Sequence, residues 1–308
     1  MQIGIAGLGR MGMNMALRLM QGGHDVCCYN RTAAKAHTLA RQGARAAETP
    51  HTLAGMLTPP RVVWLMLPSG EATRRHIELF AALLDAGDIL VDGSNSFFKD
   101  DAANRAVLLD RGVHYLDAGV SGGIWGLDNG FCTMIGGEKP DFERIEPLLK
   151  TLAPVDGYLY CGPCGSGHFT KMIHNGIEYA MMQAYAEGFA LLESSPFRDH
   201  LRLDEIASLW NRGSVIRSWL LELLEAALAD DGALSGLEPF VDDSGEGRWT
   251  VQQAIESGTP APVMAQALFE RFASRGSADF SRKLLAAMRN QFGGHAVRKI
   301  DPLNGRRS

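Results

Sequence analysis

The chain opens MQIGIAGLGRMGMNMALRLMQGGHDVCCYNRT, and this stretch restricts the possible folds more than any other. Residues 3–6 are a short apolar run, Gly7, Gly9 and Gly12 complete G-x-G-x-x-G, residues 13–21 are helix formers, and HDVCCYN reads as a second strand. With 35 glycines in 308 residues, a lone glycine triplet would mean little. Its place in a strand–turn–helix–strand context makes it specific. Gly7 allows a tight turn, Gly9 lets the backbone approach a pyrophosphate, and Gly12 lets the helix lie against the strand. Amides at the helix N-terminus then stabilise the phosphate charge. A dinucleotide site is expected over Gly7, Leu8, Gly9, Arg10, Met11 and Gly12.

The end of the second strand separates two cofactors. NAD sites usually carry a carboxylate there for the ribose 2′-hydroxyl. Asn30, Arg31 and Thr32 stand there instead. Nothing there repels a 2′-phosphate, and the Arg31 guanidinium can pair with one. NADP is expected over NAD, with Arg31 as a solvated loop residue the alternative.

Apolar runs and turns continue through RVVWLMLPSG, DILVDGSNS, VHYLDAGVSGG and FCTMIGG, with helical segments such as EATRRHIELFAALL between them. This alternation predicts a doubly wound, mostly parallel α/β Rossmann sheet. Its strand-end loops would gather Leu67 and Asn95 against the cofactor, and Asn95, Ser121, Gly122 and Gly123 against substrate. From about residue 167 the patterns become helical: 167–194, 204–228, 260–276 and 280–294. The expected division is a Rossmann domain over 1–166 and an all-α domain over 167–308.

A chain of this length with 46% hydrophobic residues can build two cores. The net charge of −5 gives no sign of a nucleic-acid or membrane-surface partner. No apolar run reaches 18 residues, and the opening lacks the features of a signal peptide, so a cytoplasmic protein is expected. The five cysteines make no disulfide framework. Cys161 and Cys164 spell CGPC, either a redox pair or a flexible glycine-rich entry to the next helix. Cys27, Cys28 and Cys132 supply no second ligand pair for zinc, so no metal is expected.

One helical face is unusual. In HFTKMIHNGIEYAMMQ, residues 168–183, the groups Lys171, His174, Asn175 and Glu178 fall at i, i+3, i+4 and i+7. They occupy the face that would otherwise be a core stripe. Four polar groups there need ligands or partners to offset desolvation.

GLGRMG with NRT, DGSNS, GVSGG, HFTKMIHNGIEY, DSGEGRWT and FGGH occur in this order along nearly the whole chain, which resembles the decarboxylating 6-phosphogluconate dehydrogenases within the β-hydroxyacid dehydrogenase superfamily. The resemblance implies that Lys171 takes the C3 hydroxyl proton as hydride leaves, then returns a proton to that oxygen after CO2 is lost. It implies that Glu178 protonates C1. It places His174, Asn175, Asn95, Tyr179, Ser121, Gly122 and Gly123 around 6-phosphogluconate. It also assigns Arg248, Arg271, Arg289 and His295 to the anionic substrate. Arg289 and His295 would enter a neighbouring subunit's site, which implies a homodimer or homotetramer.

The chain departs from the long enzymes of that family in three ways. It looks like a short form with one helical unit. Ile124, Trp125 and Gly126 replace an acidic pair after SGG, and Arg248 replaces a lysine. The alternatives are a non-decarboxylating β-hydroxyacid dehydrogenase for a small 3-hydroxy acid, and an NADP-binding sensor without turnover.

Overall fold

A computed structural model of the chain describes residues 1–276, 279–293 and 296. The chain divides into two compact units, Met1–Asn175 and Gly176–Ser308.

In the first unit the elements run β1 Gln2–Ala6, α1 Arg10–Gln21, β2 Asp25–Tyr29, α2 Ala33–Ala40, β3 Arg45–Ala47, α3 Pro50–Gly55, β4 Val62–Leu65, α4 Glu71–Ala81, β5 Ile89–Asp92, α5 Asp101–Leu109, β6 His114–Ser121, α6 Gly126–Asn129, β7 Cys132–Gly137, α7 Lys139–Leu152 and β8 Tyr158–Gly162. Helix α8, Ser166–Glu193, starts in this unit. The strands form one sheet ordered β3-β2-β1-β4-β5-β6-β7-β8. Every neighbouring pair is parallel except β6 with β7. The order reverses between β1 and β4, as in a doubly wound Rossmann sheet.

Strand periodicity explains the two layers of helices. Ile3, Ile5, Val26, Cys28, Trp64, Ile89 and Val91 join Met15, Leu19, Ile145 and Leu148 in one core. Alternate residues Ala6, Cys27, Val63, Leu65 and Leu90 join Leu53, Ile77, Phe80 and Leu108 in another. Side chains two apart share a face, so a strand that is apolar throughout packs helices on both sides. Strand β3 has only three residues, Arg-Ala-Ala, and no apolar run from which to foresee it.

The second unit is all-α: the rest of α8, then α9 Leu203–Trp210, α10 Trp219–Asp230, α11 Glu246–Ser257, α12 Pro262–Ser274 and α13 Asp279–Gly293. The pattern over 204–228 is two helices, not one. Helix α9 ends at Trp210, Gly213 takes φ 89°, and the Ser218 hydroxyl caps α10 by accepting from the Leu221 amide at 3.1 Å. Phe189, Ala207, Leu221 and Leu228 form the core there, with Phe189 edge-on to Trp210. Among the described residues no helix is long and apolar enough to cross a membrane.

Candidate active site

The glycine loop is shaped by close backbone approaches. Gly7 has φ 104°, and its amide donates to the Tyr29 carbonyl at 2.8 Å. A side chain on Gly7 would run into the Met66 carbonyl oxygen, and one on Gly12 into that of Gly7. A side chain on Gly9 would meet nothing within 4 Å, so backbone and open space adjoin where a ligand must approach. Gly9 caps α1 without a side-chain bond, and the first turn holds no carboxylate, which leaves a first turn suited to an anion.

The other cofactor candidates divide by what they do. Leu8 buries its side chain in the core, and its amide donates to Asn30 Oδ1 at 2.9 Å. Asn30 Nδ2 donates to the Thr32 carbonyl at 3.1 Å, so this amide braces the loop. Arg10, Arg31 and Thr32 are exposed, and Met11 is half-buried. Thr32 caps α2 without a side-chain bond, and Lys35, which the motif did not include, is exposed on its first turn.

Loops from β4, β5 and β6 meet beside it. The Leu67 amide donates to Ser94 Oγ at 3.3 Å. Asn95 sits at φ 52°, a left-handed conformation that asparagine tolerates. Its side chain donates to the Val120 carbonyl at 3.1 Å and accepts the Val120 amide at 2.8 Å. Asn95 thus splints the β5 loop to β6, directly before Ser121, Gly122 and Gly123. Beyond them, Asn14 Nδ2 donates to the Ile124 carbonyl at 2.9 Å, tying that loop to α1, while Ile124 and Trp125 are exposed.

Helix α8 carries the amine. Lys171 is buried; its Nζ donates to Asn175 Oδ1 at 2.6 Å and lies 3.3 Å from His174 Nδ1. His174 Nδ1 is 2.9 Å from the same Asn175 oxygen. An amine, an imidazole and an amide therefore meet within one helical turn. Gly119 of β6 lets the helix come this close, since any side chain there would strike Lys171 Cβ.

Residue types alone did not single out the support beneath Lys171. Asp117 of β6 accepts the Gly165 amide at 2.7 Å and the His168 amide at 2.9 Å, capping α8 from the sheet. The His168 ring is wholly buried, with Nδ1 3.0 Å from both Asp101 oxygens and Nε2 3.1 Å from the Asp92 carbonyl. Burial alone disfavours the imidazolium, but Asp101, Asp92 and Asp117 outweigh it and push His168 up to about 10. Burial pushes Asp101 up to about 6 against the pull of His168. Near neutral pH the two form an ion pair. Asp92, Asp101 and His168 lie close enough to hold a metal, yet their groups are taken up by one another and by Ser94, Ser96 and Tyr115. The one visible signal was aspartates in the apolar strands ILVD and HYLD; only the register sets Asp92 beside Asp117.

Cys161 and Cys164 are free thiols. Burial raises both, Cys164 to about 12, the opposite of the lowered pKa of a reactive Cys-x-x-Cys pair.

The second unit holds Glu178 and Tyr179 further along α8. The Tyr179 hydroxyl accepts the Ser244 amide at 2.9 Å, and the Arg271 guanidinium lies 3.6 Å from the Tyr179 ring centroid. Arg248 makes two bonds of 2.9 Å to Asp243, which also pairs with Arg275 at 2.8 Å. Hydrogen bonding from Arg248, with Arg275 second, outweighs burial and holds Asp243 well below the usual carboxylate range. Three guanidiniums thus share one side-chain carboxylate; Arg275 was not foreseen, although ERFASR places it one turn past Arg271. Arg289 is exposed on α13. His295 lies outside the described residues.

A Rossmann sheet with a phosphate-type glycine loop, and a buried lysine on the helix beside its strand ends, defines a nicotinamide-dependent dehydrogenase. The chain belongs to the 6-phosphogluconate dehydrogenase family: residues 2–164 match the family's NAD binding domain and 167–279 its C-terminal domain. YqeC of Bacillus subtilis is 42% identical over 301 residues, covering 97% of this chain and all of that one. An NAD(+)-dependent, decarboxylating 6-phosphogluconate dehydrogenase of Haloferax volcanii is 41% identical, covering 98% of this chain and all of its own. The NADP(+)-dependent, decarboxylating enzyme of Bacillus subtilis is 35% identical, and the match takes in 61% of its length. Among solved structures, Plasmodium falciparum 6-phosphogluconate dehydrogenase superposes with a TM-score of 0.83 at 30% identity, over 99% of this chain and 67% of that one.

Proposed function

We propose that the chain oxidatively decarboxylates 6-phosphogluconate to ribulose 5-phosphate and CO2, with hydride transfer to NADP. The observation that carries this reading is Lys171, an amine buried against Asn175 and His174 on a helix one strand away from the Asn95 loop. When bound, the nicotinamide supplies the hydride acceptor. Lys171 takes the C3 hydroxyl proton as the C3 hydride departs, which leaves a 3-keto acid. The new ketone accepts the electrons of the C1–C2 bond as CO2 leaves, and Lys171, now an ammonium, donates to that oxygen as it becomes an enol. Glu178 protonates the carbon released by CO2, C1 of the product, and the enol returns to a ketone.

Asn175 and His174 steer Lys171 toward the substrate hydroxyl, and Asn95 with Ser121, Gly122 and Gly123 forms the facing wall. Arg271, stacked on Tyr179, and Arg248 with its Asp243 anchor receive the phosphate. NADP is favoured by a β2 end without a carboxylate, by exposed Arg31 and Lys35, and by the uncapped start of α2.

The working unit is a homodimer or homotetramer in which Arg289 and His295 complete a neighbouring site. Support comes from α13, where Phe280, Leu284, Leu285 and Met288 are each at least 49% exposed and follow helical spacing. A second copy of the chain would cover them.

The test follows reduction of NADP and of NAD by 6-phosphogluconate together with CO2 release. One CO2 per reduced nicotinamide, faster with NADP, is the expected outcome. Reduction without CO2, or none with this substrate, would replace the reading with a dehydrogenase of small 3-hydroxy acids.

A further inference from the structure

A wholly buried charged network has no part in the reaction as proposed, yet every strand of it ends at a group that does. The Nε2 of His168 faces the Asp92 backbone carbonyl, which can only accept, so that nitrogen carries a hydrogen. The other ring nitrogen faces the Asp101 carboxylate. Asp101 also accepts from the Tyr115 hydroxyl at 2.7 Å. Asp92 accepts the Ser94 amide at 2.9 Å and the Ser96 hydroxyl at 2.7 Å, so its carboxylate shapes the loop around Asn95. His168 precedes Lys171 by one helical turn, and its own amide is held by Asp117, which lies beside Asp92 in the sheet. Buried charges are costly unless paired, and hydrophobic residues of similar volume would often do as well for stability alone. Their directional value lies in register: the imidazole fixes how far α8 is pushed along β5 and β6, and so where Lys171 stands against Asn95.

We propose that His168, through its pair with Asp101 and its bond to the Asp92 carbonyl, is a positioning residue that sets Lys171 and the Asn95 loop in the geometry the reaction needs. This rests on the reading of Lys171 as the base.

Removing His168 alone leaves Asp101 buried without its cation and risks the fold. The test therefore uses His168→Gln with Asp101→Asn, which deletes both charges together, and Tyr115→Phe, which keeps the buried ring and loses only its hydroxyl. In the double variant, cofactor binding and the KM for 6-phosphogluconate stay within about twofold while kcat drops about 10- to 100-fold, the scale of a misplaced reacting group. The deuterium isotope effect from C3 of the substrate rises as hydride transfer becomes limiting. Tyr115→Phe moves the same way by a smaller factor. Unchanged kcat in both folded variants, or a rise in KM alone, overturns the positioning role. Lys171→Met in the same assay separates the two readings. Turnover there removes the base assignment and this proposal with it, whereas loss there beside full turnover in the other variants removes the positioning role alone.

Discussion

Arg31 and Asn30 are neighbours in one motif, yet the structure gives them different work. The Asn30 side chain is bonded to the Leu8 amide and the Thr32 carbonyl, whereas Arg31 is exposed at the mouth of the loop. A charge-assisted contact to phosphate contributes about 1.5–3 kcal/mol, or roughly 10- to 150-fold in binding. Arg31→Ala accordingly raises the KM for NADP by about tenfold or more and leaves that for NAD nearly unchanged. Equal effects on the two cofactors in steady-state kinetics would refute contact with the 2′-phosphate. At this scale the sequence is most legible where the chemistry is local. G-x-G-x-x-G and the Lys171–His174–Asn175 spacing are read directly, because one turn or one helical repeat brings the groups together. Asn95 was legible as a strand-end residue, but its splint to Val120 was not, since that partner lies 25 residues away.

Helix α8 begins on Asp117, a carboxylate from a neighbouring strand, and is locked by the His168–Asp101 pair. The folded state holds the His168 proton up to about 10, while an unfolded chain releases it near 6.5. Between those values the folded state binds more protons, so stability falls as pH rises through this window. Asp243 in the second unit works in the other direction. Its depressed carboxyl contributes stability above the ordinary carboxylate range, which is lost as pH falls below that range. Hydrogen exchange resolved by segment should therefore show α8 and β6 losing protection from pH 7 to 10, and the start of α11 losing it under acid. A first unit indifferent to alkaline pH would contradict the ion pair. Element limits were partly legible: residues 167–194 foretold α8 closely, whereas 204–228 concealed a break because its apolar residues continue through Val215 and Ile216, which are exposed.

For the molecule as a whole, the exposed apolar face of α13 and the placement of Arg289 predict a site shared between copies. Lys171→Met and Arg289→Ala chains, each inactive alone, should regain activity when co-expressed, because a mixed dimer contains one intact site. Random pairing gives about a quarter of wild-type activity per chain. No recovery in a mixture shown to contain mixed oligomers would put Arg289 in its own subunit's site or outside the site altogether.

The sequence by itself determined the doubly wound sheet, the helical second unit, the glycine loop and the polar face of α8. Each follows from a period of two or 3.6 residues, or from a turn that only glycine can make. Only the tertiary structure decided that Asp92 and Asp117 stand side by side and that His168 is an imidazolium between carboxylates. The same is true of Arg248, which shares Asp243 with Arg275. Those facts depend on strand register and on approaches between residues distant in the chain. A buried charge acquires its state from neighbours that no local pattern in the sequence records.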